Sequence, residues 1–418
     1  MLDIHPFCAV HPSAGDAPRV SSVPYDIVNR EEAAALAEGN DDSFLHVIRS
    51  EIDLPGIDAH ADEVYEKAAD AYQRLRDADV LFKDDEPSLY AYRQCMGEHV
   101  QVGIVACCTV GDYESGVIRR HEKTRKTKED DRTRHVLETG ANTGPVFLAY
   151  RDQDAVTLLV NDAINRRPMF HFVADDGITH TGWRIENDAP LLKALRGIPV
   201  AYVADGHHRT ASAVRAAKER AAANPNHDGS EEYNRFLAVL FPASHLKILP
   251  YNRTVADLHG HTPQELLSAL GTAATPTSNP TPASSGGCCM YLDGTWYAIQ
   301  FDPDAIPRDD PVRSLDVDLL QSLVLEPLLG VGEARTDVRI AFVGGIRGTD
   351  ELERLVDEGE AAVAFSMYPT SIEQLLSVAD ADLIMPPKST WFEPKLRSGL
   401  FVHEIQEVSG TGVVRSRE

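Results

Sequence analysis

Five consecutive residues, Asp205, Gly206, His207, His208 and Arg209, combine a carboxylate, a glycine, two imidazoles and a guanidinium. They stand between an apolar run (199–204) and an Ala-rich stretch (210–223) with helical spacing, which predicts a strand-to-helix junction. A helix start presents unpaired N–H groups and a partial positive charge. Gly206 permits close backbone approach, and His207, His208 and Arg209 add donors, so the set suits a phosphate. Asp205 at the strand end has two uses: it can accept a proton from a hydroxyl or help to hold a divalent cation. The competing reading is an Asp cap with histidines that merely pack. Five functional residues in a row between two apolar elements fit that reading poorly.

A second polar cluster begins at His121 and Glu122 and runs through Lys123, Lys126, Lys128 and Arg132. Its cations could bind a polyphosphate, and His121 or Glu122 could serve as acid, base or metal ligand. A solvated, charged helix start explains the same residues equally well. A third set, Lys388, Ser389 and Thr390 after Pro386-Pro387, puts an ammonium and two hydroxyls where a phosphate or carboxylate could be clamped. It lacks the glycines of a P-loop and could equally be a surface turn. Asp26, after Pro24-Tyr25, is a further carboxylate near a helix start. No G-x-G-x-x-G, G-x-S-x-G, H-E-x-x-H or protein-kinase motif is present. That removes Rossmann dehydrogenases, α/β-hydrolases, zincins and protein kinases as first readings.

The elements that must position these residues alternate along the chain. Helices are expected over 31–38 and 59–78, a hairpin over 88–96 and 99–110, and a helix from about 129. A strand over 145–150, a helix over 156–164 and two further strands lead to a short helix over 191–197 and the 199–223 junction. Segments 236–242 and 246–251 read as another strand pair, followed by a helix over 262–271. The Pro/Ser/Thr-rich stretch 272–287 reads as a linker or surface loop. Asp293-Gly294 between two apolar runs signals a hairpin over 288–301. The remainder has α/β character: helices over 318–329, 350–359 and 371–379 and strands over 338–345, 361–368 and 382–386. The expected division is an N-terminal α+β region, 1–255, and a C-terminal α/β region, 256–418.

Composition bounds the function. The chain has 418 residues, 43% of them hydrophobic and 25% charged, which is ordinary for a globular protein with a large core. Forty Lys and Arg against sixty-five Asp and Glu give a net charge of -25, so the average surface repels polyanions and argues against nucleic-acid binding. No apolar stretch is long enough to span a membrane and the N-terminus lacks a signal-peptide pattern, so a soluble, cytoplasmic protein is expected. The six cysteines, Cys8, Cys95, Cys107, Cys108, Cys288 and Cys289, have no C-x-x-C spacing and read as reduced, buried small residues.

Six ordered motifs, VPYDIV (23–28), HEKTRKTKEDDR (121–132), ANTGPVFLAY (141–150), VADGHHRTASA (203–213), ILPYNRTV (248–255) and MPPKSTWFEPK (385–395), together resemble a widespread bacterial and archaeal family, the domain of unknown function number ten-fifteen. In addition, D-G-H-H-R at a strand–helix junction is similar to the phosphate-contacting motif of the free-serine kinases, whose fold is that of the ParB and sulfiredoxin group. The resemblance implies an α+β protein with a ParB/sulfiredoxin-like core elaborated by further mixed sheet and helices. It implies that Asp205 activates the serine hydroxyl and that Gly206, His207, His208 and Arg209 hold nucleotide phosphates. The catalytic Glu that those kinases carry near their N-terminus has no matching residue here, so Asp26, Glu31 or Glu122 would substitute, with Glu122 the first choice. His121, Lys123, Lys126 and Arg132 are expected to add phosphate contacts, and Asp26, Asn142, Lys388, Ser389 and Thr390 to contact the substrate. The expected function is therefore an ATP- or ADP-dependent kinase of a small hydroxyl metabolite, foremost free L-serine, working with Mg²⁺. The alternative is a ParB-like regulator that binds and hydrolyses a nucleotide without kinase activity. The partners expected are a small substrate and a nucleotide, with no membrane; self-association is left open.

Overall fold

The computed structural model describes residues 1–406, and the chain forms two compact units. Among the described residues the first comprises Met1–Arg119, Thr124–His245 and 394–406; the second comprises Arg120–Lys123 and Leu246–Glu393. The change of unit falls at His245 and Leu246, ten residues before the boundary expected from sequence, and residues 394–406 return to the first unit.

The first unit is built on nine strands: β1 (Ile4–His5), β2 (Leu89–Met96), β3 (His99–Thr109), β4 (Ile118–Arg119), β5 (Val146–Tyr150), β6 (Phe170–Val173), β7 (Thr179–Ile185), β8 (Ala201–Asp205) and β9 (Arg235–Pro242). Their order is β4-β8-β5-β9-β3-β2-β7-β6, with β1 on β3. The β4–β8 and β5–β9 pairs are parallel and the rest antiparallel, so this is a mixed sheet in an α+β unit. β2 and β3 form the expected hairpin and run through the core, with Leu89, Tyr90, Ala91 and Val105 fully buried. Gly103 in β3 is required by packing: a Cβ there would lie 2.6 Å from Val239 and 2.7 Å from the Phe241 ring. Helices α1 (Asp62–Asp77), α2 (Lys126–Thr139) and α3 (His207–Ala223) pack in the order α1, α2, α3.

The main sheet of the second unit has six strands: β10 (Tyr251–Val255), β11 (Ala274–Pro276), β12 (Gly287–Leu292), β13 (Thr295–Gln300), β14 (Ile340–Gly344) and β15 (Val363–Met367), in the order β11-β13-β12-β15-β10-β14. Every pairing is antiparallel, which differs from the expected α/β arrangement. The alternation was real, but β10 inserts between β14 and β15, so the helix Asp350–Asp357 connects two strands that point the same way with a third between them. The β12–β13 turn is as the sequence indicates, with positive φ at both Asp293 and Gly294.

Four other expectations are corrected. Segments 236–242 and 246–251 are not partners: β9 lies in the first sheet, while Lys247–Leu249 pairs with Trp391–Glu393. The 272–287 stretch is only partly loop, because β11 takes 274–276 into the sheet. Residues 382–386 are not a strand; Asp382 has positive φ and Met385 N–H donates to the His121 carbonyl at 2.8 Å. All six cysteines are free thiols, but Cys8 and Cys95 are half-buried, not buried. Among the described residues no helix is long and apolar enough to cross a membrane.

Asp316, 8% exposed, accepts a hydrogen bond from Gly286 N–H at 2.8 Å. Burial pushes its carboxyl up to about 6. A folded pKa above the unfolded one means that the folded state holds the extra proton, so stability falls as pH rises from about 4 to about 6. Asp316→Asn keeps an acceptor for Gly286 and is expected to raise stability by about 1–2 kcal/mol at neutral pH and by nothing near pH 4. Thermal melts of both proteins across that range check it.

Candidate functional site

The Asp205 carboxylate owes its position to a backbone irregularity. The β8–β5 register shifts between Val203, opposite Leu148, and Asp205, opposite Phe147. Such an extra residue bends a strand and re-aims the side chain that follows. Gly206 then turns the chain into α3 with φ 93° and ψ 29°, a left-handed conformation that glycine adopts without strain. Glycine is required here for space as well, since a Cβ would stand 3.1 Å from Arg209 Nε.

Around Asp205 the charges are opposite and close. Gly206 N–H donates to Oδ1 at 2.7 Å, Lys395 Nζ donates to Oδ2 at 2.8 Å, and Arg209 Nη2 lies 3.8 Å from Oδ1. Burial pushes the carboxyl upward, but the Lys395 ammonium, the Arg209 guanidinium and the Gly206 N–H outweigh it and hold it far below the ordinary carboxylate range. Asp205 is thus a fixed anion. Arg209 is shared: its Nη2 also lies 3.7 Å from Asp26 Oδ2, and Nη1 donates to the Pro145 carbonyl.

Next to Arg209 is a small pocket lined by Tyr25, Arg132, Asn142, Thr143, Gly144 and Ser398. The Arg132 guanidinium stacks 4.4 Å from the Tyr25 ring centre and pairs with Asp131 at 2.9 Å. Two guanidinium groups, Arg132 and Arg209, therefore face one pocket, the donor set that suits a phosphate oxyanion. Its enclosed volume is about 40 Å³, room for a few water molecules and not for a nucleoside.

The structure distributes the remaining candidates unevenly. His208 Nε2 accepts from Arg125 N–H at 3.1 Å, which ties the start of α2 to the start of α3. His207 is buried in the first turn of α3, and Lys126 is exposed in the first turn of α2. Asn142 lines the pocket, but its Oδ1 accepts from Leu237 N–H at 3.3 Å and from His403 Nδ1 at 3.1 Å. His121, Glu122, Lys123, Lys388, Ser389 and Thr390 belong to the second unit. There the 386–390 stretch forms a turn: Ser389 Oγ donates to the Pro386 carbonyl at 2.7 Å, and Lys388 Nζ lies 5.4 Å from the Tyr251 ring centre.

In sequence Lys395 reads only as the cation that follows the Lys388, Ser389 and Thr390 set, with no role of its own. It is delivered to Asp205 by the segment 394–398, which is pinned on both sides. Gln94 Nε2 donates to the Lys395 carbonyl at 2.8 Å and Gln101 Nε2 to the Pro394 carbonyl at 3.3 Å. Ser398 exchanges two backbone hydrogen bonds with Ser22. Arg397 pairs with Asp176 and donates through Nε to His180 Nε2 at 3.3 Å. Fully buried Gln94, Gln101 and His180 serve this anchorage, and buried polar side chains persist only where their hydrogen bonds are met.

No curated protein matches the chain in sequence. A free serine kinase in complex with AMP resembles it in structure at 12% identity and a TM-score of 0.36, covering 72% of this chain and 91% of that one. A conserved hypothetical protein from Pyrococcus furiosus aligns at 13% identity and a TM-score of 0.34, covering 72% and 95%. SbnI with a C-terminal truncation, from Staphylococcus aureus, aligns at 11% identity and a TM-score of 0.39, covering 72% and 87%. The profile of the family described as protein of unknown function DUF1015 matches residues 4–318, well over half of the chain, and the chain belongs to that family.

Proposed function

We propose that the first unit is a nucleotide-dependent phosphotransferase, built on a ParB/sulfiredoxin-like core, that phosphorylates the hydroxyl of a small metabolite, foremost free L-serine, to a phosphomonoester. The observation that carries this is the convergence of Asp205, Lys395, Arg209 and Asp26 at the start of α3. Phosphoryl transfer asks a protein chiefly for positioning and for neutralisation of charge on the transferred group. Lys395 and Arg209 supply the positive charge, and the α3 N-terminus with His207 and His208 completes the phosphate cradle. Asp205 accepts the hydrogen bond of the incoming hydroxyl. Its depressed pKa makes it an orienting group first, which takes the proton only as the hydroxyl oxygen bonds to phosphorus and the bond to the leaving nucleotide oxygen breaks.

Among the described residues no cluster of three or more ligating side chains exists. Asp26 and Asp205 fit the way Mg²⁺ binds with a nucleotide, through one or two carboxylates plus phosphates. Such an ion would neutralise phosphate charge. We assign the second acid to Asp26, which shares Arg209 with Asp205, in the place first given to Glu122. The small pocket between Arg132 and Arg209 would hold a phosphate, with the nucleoside outside it.

The test is phosphorus NMR of the purified protein with Mg²⁺, ATP or ADP, and a panel of hydroxylated metabolites led by L-serine. A phosphoserine resonance that is lost in Asp205→Asn, with nucleotide binding retained, is the expected result. Nucleotide that is bound but intact across the whole panel overturns the kinase reading and leaves a nucleotide-binding regulator in its place.

A further inference from the structure

The pocket beside Arg209 offers an anion more donors than its two guanidinium groups, and none of its described lining residues is acidic. Thr143 and Ser398, 7% and 3% exposed, line it, and neither hydroxyl makes a hydrogen bond among the described residues. Arg209 Nε is likewise buried without a partner. Two other polar walls are already occupied. Ser212 Oγ donates to the Glu129 carbonyl at 3.3 Å, and His135, its pKa pushed down to about 4 by burial and then by Arg132, gives its Nε2–H to the Val47 carbonyl at 2.9 Å. Gly144 leaves room for Ser398, because a Cβ there would stand 3.1 Å from its Oγ. Buried donors left unmet carry a penalty that a bound acceptor removes.

Asn142 adds a donor of fixed direction. Its Oδ1 accepts from the Leu237 N–H at 3.3 Å, and a backbone N–H can meet only the oxygen end of an amide. Nδ2 is therefore the other end, and it has no acceptor among the described residues. His403 pairs with Asn142 across the short strands Ala141–Asn142 and His403–Glu404. Its Nδ1 lies 3.1 Å from Asn142 Oδ1 and its Nε2 lies 2.8 Å from Glu232 Oε2. Burial pushes the Glu232 carboxyl up, but the hydrogen bond and charge of His403, with Arg235 donating to Oε1 at 2.7 Å, outweigh it and hold the carboxyl below its ordinary value. Both ring nitrogens of His403 thus face acceptors, and only an imidazolium satisfies both. His5, Cys8 and Cys107 also lie near the Glu232 carboxylate, the Phe7 ring packs edge-on against His403, and Glu404 is paired with Lys83 at 3.0 Å. A neutral ring would turn a lone pair toward Glu232 or toward Asn142. In the second case the amide would flip and present its oxygen where its nitrogen had been.

We propose that Asn142, Thr143 and Ser398 complete this pocket as a phosphate site, and that His403, as an imidazolium paired with Glu232, is the positioning residue that keeps the Asn142 amide nitrogen available to the anion. This assignment rests on the pocket being the phosphate site of the phosphotransferase, and it names the residues that finish it.

Calorimetric titration of the full-length protein with inorganic phosphate, without nucleotide or acceptor, reads the site without turnover. Phosphate should bind, and Asn142→Asp, which still accepts from Leu237 and His403 but sets an oxygen in place of Nδ2, should weaken it about tenfold or more. Ser398→Ala removes a hydroxyl that has no partner among the described residues. It should weaken phosphate about threefold to tenfold, and it keeps the test sound if Asn142→Asp fails to fold. Sulfate, a dianion at every pH used, should bind more weakly as pH rises, along the same curve by which NMR of the ring nitrogens shows His403 losing its proton, and His403→Gln should abolish that dependence. Absence of phosphate binding overturns the proposal, as does binding unchanged in Ser398→Ala. A His403 ring already neutral at pH about 6, or sulfate affinity that ignores its titration, overturns the role of His403. The kinase reading fails separately. Phosphate bound with these dependences but no phosphoserine formed would end the kinase and keep the site, whereas phosphoserine formed by a protein whose phosphate affinity ignores Asn142 and Ser398 would do the reverse.

Discussion

If the proposed phosphotransferase reading holds, Lys395→Met is expected to lower kcat/KM for phosphoryl transfer by about a hundred- to a thousandfold while leaving the protein folded, the loss expected when one preorganised charge is removed from a transition state. Lys395 is the shortest cationic contact of Asp205 and half of the positive charge that faces it. In the proposed mechanism its removal acts twice, because it would take a cation from the transferred phosphoryl group and would release Asp205 toward an ordinary carboxylate pKa. The stability cost stays modest: Asp205 keeps the Gly206 N–H and Arg209, and its side chain is 24% exposed, so about 1–2 kcal/mol is expected. The sign follows from the depressed pKa. Stabilisation of a carboxylate held low exists above the unfolded value near 4 and is lost as pH falls through the folded one, so the variant's deficit shows at neutral pH and fades in acid. Steady-state kinetics and melts on the same preparation separate the two effects, and Lys395→Arg should recover part of the rate. Turnover at the unsubstituted rate in Lys395→Met would reduce Lys395 to a counter-ion.

The sequence made the strand-to-helix junction at 205–206 legible because local rules determine it: an apolar run, a glycine and an Ala-rich helix occupy adjacent positions. The same holds for the β2–β3 hairpin and the Asp293-Gly294 turn. What stayed hidden was set at long range. Lys395 meets Asp205 across 190 residues, and no periodicity encodes that encounter. Insertion of β10 between β14 and β15 is equally non-local, and it turned a run that reads as α/β into an antiparallel sheet. Arg132 and Arg209 were both chosen for their charge, but only the fold shows them facing one pocket. Ser389 shows the opposite error, a hydroxyl that looks available in sequence and whose hydrogen is given to the Pro386 carbonyl. A signal for Lys395 did exist in the polar residues of β2 and β3: Gln94 and Gln101 sit in largely apolar strands and are fully buried, and a fully buried amide implies a partner segment that needs it.

Arg397→Met tests that segment without touching the site. Arg397 is 7% exposed and holds 394–398 to the first unit through Asp176 and His180. His180 is neutral: burial, then Arg397, keeps its pKa down at about 3. Its Nε2 accepts from Arg397, so its proton lies on Nδ1 and is donated to Tyr92 Oη at 2.7 Å. Removing Arg397 leaves His180 Nε2 buried without a donor, while Asp176, 42% exposed, recovers water. The expected cost is about 2–3 kcal/mol, dominated by the stranded acceptor and the lost charged hydrogen bond. Since His180 does not titrate above about 4, that cost should be the same at pH values from about 5 to about 8, unlike the deficit of Lys395→Met. Catalysis should suffer with it, because a misplacement of about 1 Å at a reacting group costs about a hundredfold, and Lys395 depends on this anchorage. Hydrogen exchange at the 395–398 amides reads the loosening directly. A variant that loses stability without faster exchange there, and with normal turnover, would show that Gln94, Gln101 and Ser22 suffice to place Lys395.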